Sequence, residues 1–347
     1  MDEARRWRKI KKSKIQEHRK QTIIASGKRF IDVFRKLLQG TSTTTEEKFL
    51  YMQRVFHAIF FYGHINCPQI QPKDFIPAIS WPVLQKKFPK PLREYSTHLP
   101  CQTPYSTLLE YMTKVYGKQE VLELLMKINR DLLINICDDE GKQLSTKDFA
   151  LSASVITQSY IFNSSENHAE MFFGSSIAYK GEVARNVMIA ISALFVWDKV
   201  ISYEVSCAEG GQGIHFPNNV YCNSYRFDIQ SLEFEAIPPC IKCHQMFIVK
   251  FDPTYVETNK REEWRHGNCA ETESLSNLIH NNEGIKNSLY TTDNNKMILK
   301  REDIITKFTN EHEHKLHKEV ESRLEPFNFN VTQNGWALFA PEALVQH

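Results

Sequence analysis

From Phe30 to about Ile161 apolar residues fall mostly at helical spacing. Phe30, Val33, Phe34, Leu37 and Leu38 recur at i, i+3, i+4, i+7 and i+8, the stripe of an amphipathic helix. A hydroxyl-rich run ending at Glu46 gives the start signal for the next helix, which carries Phe49, Tyr51, Met52, Val55, Phe56, Ile59 and Phe60. The proline-rich stretch from Cys67 to Thr103 reads as an irregular connector. Helical spacing resumes over Tyr105–Tyr116, Gln119–Cys137 and Thr146–Phe162. These segments predict a helical bundle with no chemistry visible in it.

The pattern changes after about residue 182. Glu182–Asp198 reads as a strongly apolar helix, and Val200–Val205 as a short strand. Val220–Ile229 alternates as a half-exposed strand does. Ser231–Ile237 alternates more cleanly, with Leu232, Phe234 and Ala236 on one face. Two helix-initiating loops follow, then a long charged helix over roughly Glu302–Leu324, stopped before Pro326. Strands alternating with helices predict an α/β sandwich. The expected class is therefore α+β or α/β: a basic arm over 1–29, a helical domain over 30–180, and an α/β domain over 181–347.

Length and composition narrow the class. The 347 residues, 41% hydrophobic and 24% charged, suffice for two domains and exclude a disordered or collagen-like chain. No apolar run approaches the ~18 residues a membrane helix needs. The basic N-terminus lacks the apolar core of a secretory signal. An intracellular protein, cytoplasmic or nuclear, is expected, with its eight cysteines serving as thiols or metal ligands. Residues 1–30 hold eleven Lys/Arg against three acids, so the net charge of +2 hides a basic arm on an acidic remainder. Such an arm suits nucleic acid or an import signal, and equally a solvated helix face.

Two segments carry candidate chemistry. The first is Pro238-Pro239-Cys240-Ile241-Lys242-Cys243-His244, after the strand ending at Ile237. The second is Gly267-Asn268-Cys269-Ala270-Glu271, before a helical pattern over Thr272–Ile279. Cys240 and Cys243 lie about one helical turn apart, so both thiolates can face one side at a helix start. Cys269 supplies a third ligand from a second helix start. Three protein ligands around Zn²⁺ leave a fourth position for water, the pattern of catalytic sites. Glu271, two residues past Cys269, is placed to shuttle a proton without ligating the metal.

P-C-x-x-C after a strand, and [H/C]-A-E opening a helix, resemble the zinc signatures of the cytidine deaminase superfamily. The resemblance covers part of the C-terminal half. It implies a three-layer α/β/α domain, Cys240, Cys243 and Cys269 as zinc ligands, and Glu271 as catalytic acid and base in hydrolytic deamination of a nucleobase, free or in nucleic acid. A catalytically inactive deaminase-like protein with a structural zinc, acting as an interaction module, is the alternative. The implied partner is a nucleotide or nucleic acid, met through the zinc site and the basic arm. In that family the [H/C]-A-E helix comes before P-C-x-x-C, whereas here Cys243 precedes Cys269. His168-Ala169-Glu170 restores the usual order, with His168 as third ligand and Glu170 as catalytic carboxylate. Cys207-Ala208-Glu209 is a third copy of the tripeptide, read as a strand end or turn. His312, His314 and His317 lie on the charged helix and read as solvated. Cys67, Cys101, Cys137 and Cys222 lack ligand spacing and read as small buried groups.

Overall fold

In the computed structural model the first predicted stripe belongs to a longer helix, α1 (Asp2–Gln39). The basic arm and the start of the helical region are thus one uninterrupted element, whose buried face begins at Thr22. Thr44 caps α2 (Thr45–His64), its side chain accepting from the Glu47 amide. The structure describes residues 2–134, 136, 137, 141, 143, 145, 149–162, 170–207, 210–257, 262–293, 296–329 and 335–343, and side chains from residue 13 onward. The architecture is mixed α+β, and the chain forms two compact units, each gathered from separate stretches.

One unit comprises Met1–Thr107, Lys127–Ser152 and Leu324–His347. Its centre is α2, where Phe56, Ile59, Phe60 and Phe61 are all but closed to solvent. Phe75 packs on Phe60 and lies against Gly27 and Gly63, where a Cβ would come within 2.4 Å and 2.7 Å of its ring. These glycines let the ring lie between α1 and α2. The proline-rich connector contains the short helices α3 (Trp81–Lys87) and α4 (Pro89–Glu94), each with Pro in its first turn. His98–Leu99 (β1) pairs in parallel with Ala337–Leu338.

The other unit comprises Leu108–Met126 and Ala153–Arg323. The helices α5 (Pro104–Tyr116) and α6 (Val121–Leu133) run through the points where the chain passes between units. The principal sheet holds β2 (Val155–Ile161) and β3 (Glu170–Ser175), an antiparallel pair. Both strands lie within the stretch expected to be a helical domain. The helical reading of Thr146–Phe162 fails at β2, where Ile156 and Thr157 are both buried. A strand covered on both faces loses its period-two signal.

Helix α7 (Glu182–Phe195) is the predicted apolar helix. The following segment is not the expected strand but α8 (Lys199–Cys207). Asp198 accepts from the Val200 amide and starts the helix, and Val200, Ile201 and Val205 are buried on one side. Packing thus overrides the β-branched propensity of this run.

Next come β4 (Ile214–His215), β5 (Val220–Asp228) and β6 (Glu233–Ile237). Helix α9 (Ile241–Met246) leads into β7 (Phe247–Ile248) and β8 (Lys250–Phe251). The principal sheet runs β3-β2-β5-β6, with β8 parallel to β5 at Tyr221–Cys222. Helix α10 (Ala270–Asn281) lies on β2, β3 and β5. After α11 (Glu283–Ser288), β9 (Tyr290–Thr292) and β10 (Ile298–Lys300) join β4 and β7 in a second small sheet. The predicted charged helix is α12 (Arg301–Phe308), a π-helical turn Thr309–Glu313, and α13 (His314–Leu324).

Candidate metal centre

Helix α9 begins directly after Pro238-Pro239, whose rings restrict the chain ahead of Cys240. Cys240 is the N-cap, and its sulfur accepts from the Cys243 amide at 3.4 Å. This contact turns the Cys240 side chain back over the first turn. Cys243, one turn on, is fully buried on the same side. The loop ahead of α10 is fastened to this turn, because the Lys242 ammonium donates to the carbonyls of Glu262 (3.2 Å) and Trp264.

Cys269 is the N-cap of α10. Gly267 makes the turn before it at φ +86°, and a Cβ there would meet Val205, Ile189 and Trp197 at 2.9–3.1 Å. The register of α10 on the sheet is set by polar contacts. Ser274 donates to the Phe172 carbonyl at 2.9 Å, and its hydroxyl lies 2.7 Å from that of Ser159. Glu273 accepts from the Ser175 amide at 2.7 Å, and Asn277 donates to the Phe173 carbonyl at 2.9 Å. Gly174 permits this approach, since a Cβ there would sit 2.2 Å from the Ser274 nitrogen.

The two helix starts bring three sulfurs together. Cys240 Sγ and Cys269 Sγ are 3.6 Å apart, and all three thiols of Cys240, Cys243 and Cys269 lie within 4.8 Å of one another. Sulfurs ~2.3 Å from one tetrahedral ion are separated by roughly 3.8 Å, so the cluster could hold a metal ion. As free thiols the three share charge unevenly. Hydrogen bonds from the Cys243 and Cys269 thiols hold Cys240 far below the ordinary thiol range. The same contacts with Cys240 push Cys243 and Cys269 up. A cation among them favours ionisation of all three. The Trp264 indole N–H donates to Cys269 Sγ at 3.2 Å and so orients that sulfur.

Glu271 lies in the first turn of α10, two residues past Cys269, and is only 4% exposed. Burial, then the negative charge on Cys240, raises its carboxyl to about 7. Ser224 on β5 donates to Glu271 Oε1 at 2.9 Å, and the Thr157 hydroxyl lies 2.7 Å from that of Ser224. Thr157, Ser224 and Glu271 thus form a hydrogen-bonded row from sheet to helix. Sequence reasoning missed Ser224 and Thr157. Their signal is small polar residues at inward strand positions, Cys222 and Ser224 on β5 opposite Ser159 and Thr157 on β2. Glu262 also faces Cys240; its carboxyl is raised to about 7 by burial and by that neighbour.

The other sequence candidates fall outside this cluster or outside the described residues. His168 lies outside the described residues, as do Ala208 and Glu209. Glu170 is exposed at the first position of β3, 3.9 Å from the Lys118 ammonium. Cys222 is buried as expected and Cys101 half-buried, but Cys67 and Cys137 are exposed, so the reading of these last two as buried groups is corrected. Of the three histidines on the charged helix, His312 lies in the π-turn with its ring 3.8 Å from Cys207 Sγ, and His317 packs edge-on against Phe195. Among the described residues only Cys240, Cys243 and Cys269 form a ligand cluster of three or more, and no helix is long and apolar enough to cross a membrane. Comparison with known families, curated proteins and solved structures finds no match to this chain.

Proposed function

We propose that this protein is a zinc-dependent hydrolytic deaminase acting on a nucleobase, free or within a nucleic acid. One observation carries the reading: two helix starts distant in sequence bring Cys240, Cys243 and Cys269 together, with the buried carboxylate of Glu271 two residues beyond Cys269. Three sulfur donors favour a borderline-soft ion such as zinc and leave one tetrahedral position for a non-protein ligand. When bound there, zinc supplies Lewis-acid activation of water.

The chain's own residues do the rest. Glu271 would take one proton from the attacking water and give it to the ring nitrogen, then take the second from the hydroxyl newly bonded to the ring carbon and give it to the amino group, which leaves as ammonia. Ser224, beside the Thr157 hydroxyl, donates to one oxygen of Glu271 and so limits rotation of the carboxylate. The indole of Trp264, 37% exposed beside Cys269, offers a surface against which a base can stack. The reversed order of the two motifs does not impede this chemistry, which needs two adjacent helix starts in either order. The basic residues of α1 are the proposed contact for a polynucleotide.

The Glu262 carboxylate beside Cys240 favours a second reading, a structural zinc closed by a fourth protein ligand in a non-catalytic interaction protein. Glu271→Ala separates the two. Elemental analysis of the purified chain should give about one zinc in both wild type and variant. Ammonia release from a panel of cytosine and adenine nucleosides, nucleotides and single strands should fall by about 10²-fold or more in the variant. Zinc with no turnover on any member of the panel supports the structural reading, and a chain without metal ends both.

A further inference from the structure

The unit built around α2 contains a groove that the metal centre does not use. It encloses about 780 Å³, within the usual size of small-molecule sites. Its floor is apolar, formed by Leu38 of α1, Phe49, Met52 and Phe56 of α2, and Leu84 of α3. The lining residues run from Lys28 to Gln39 on α1 and from Thr45 to Phe56 on α2, each stripe about 16 Å long at the helical rise. The groove is therefore elongated as well as oily.

Its rim is cationic. Lys28 and Arg35 stand on α1, Lys48 on α2 and Lys87 on α3. Arg35 at 2.9 Å and Lys36 at 2.8 Å are engaged with the lining acid Asp32, and the Lys48 ammonium also donates to the Thr41 carbonyl at 2.6 Å, so the net positive charge of the rim is that of Lys28, Lys48 and Lys87. An apolar trough edged by cations suits a slender ligand with a long hydrocarbon body and an anionic end.

We propose that this groove binds a single long-chain fatty acid, its hydrocarbon chain lying between α1 and α2 and its carboxylate held by the rim cations. The site stands apart from the metal reading and does not depend on it.

Titration of the full chain with parinarate, a naturally fluorescent fatty acid, tests the proposal. Saturable binding of one ligand per chain is expected, reversed by palmitate and at least about tenfold less well by palmitate methyl ester. Val83→Glu and Lys87→Glu alter exposed side chains of the α3 wall and leave the fold intact. Each should weaken binding about tenfold or more. Met52→Trp, which fills the floor, should abolish it, with circular dichroism confirming a folded chain. Absence of saturation overturns the proposal. So does equal competition by acid and ester, which removes the role of the cations. Wild-type binding by both α3 variants places the ligand elsewhere and overturns it as well.

Discussion

Helices α2 and α10 are both buried, but they are buried differently. The inward residues of α2 are largely aromatic and aliphatic, with Phe56, Ile59, Phe60 and Phe61 closed to solvent. Half of the buried positions on α10 are polar: Glu271, Thr272, Ser274 and Ser276. Apolar burial stabilises in proportion to area and is indifferent to small rotations. Hydrogen bonds between helix and sheet weaken steeply with misalignment and therefore fix register. The difference places stability in one unit and positional accuracy in the other. The helix that carries Cys269 and Glu271 is the one whose register is pinned.

The largest test of this contrast is Phe60→Ala. The ring is fully buried and stacked on Phe56 at 5.7 Å, so its loss should cost about 3–5 kcal/mol. If the division holds, the unit of α2 loses that stability while metal content per folded chain stays unchanged. Chemical denaturation followed by zinc analysis of the folded fraction checks both. A fall in metal content would mean that the site draws on the α2 core, against the contrast.

The two units also differ in their response to pH. Full burial lowers His57 in α2 to about 3, from an ordinary value of 6.5. Below 6.5 the unfolded chain takes up a proton that the folded chain refuses, so this unit loses stability as pH falls from 6.5 toward 3. The loss is about 2 kcal/mol at pH 5. Glu204 in α8 is raised to about 7 by burial, against an ordinary 4.5, although the Gly213 amide donates to it at 3.0 Å. Its neutral form is the one the fold prefers. That stability is present in full below 4.5 and is lost as pH rises through 7, by about 3 kcal/mol. Glu204→Gln should reduce the neutral limb of the unfolding profile, to which the raised Glu271 and Glu262 also contribute, and His57→Phe should reduce the acid limb. One substitution flattening both limbs would show that the units do not respond separately.

Sequence and structure agree best where chemistry or periodicity is local. Cys240 and Cys269 fall at helix starts because Pro-Pro and Gly-Asn precede them, and the stripe in α2 is unmistakable at a 3.6-residue period. What the sequence conceals is long-range. The β2–β3 pair lies in a stretch that reads as helical, and in β2 the buried neighbours Ile156 and Thr157, on opposite faces, blur the alternation. Val200–Val205 has strand propensity that packing reverses. Ser224 and Thr157 are single small residues whose roles depend on a helix that begins some 50 residues after β5 opens. The alternation of β5 places Ser224 on the inward face but says nothing of its partner.

Ser224→Ala gives the smallest effect and the sharpest reading of the polar side of the contrast. The Ser224 hydroxyl stands between Thr157 and Glu271, so removing it leaves both without that partner. A neutral hydroxyl of this kind contributes about 1 kcal/mol to stability. The thiol cluster is untouched, so metal content should remain that of the wild type. If Ser224 orients Glu271 for proton transfer, turnover should drop by more than the stability change implies, and Ser224→Thr, which keeps a hydroxyl at the same atom, should restore part of it. Equal loss in Ala and Thr variants would reduce the row to packing. In that case register in α10 would rest on Ser274, Glu273 and Asn277 alone.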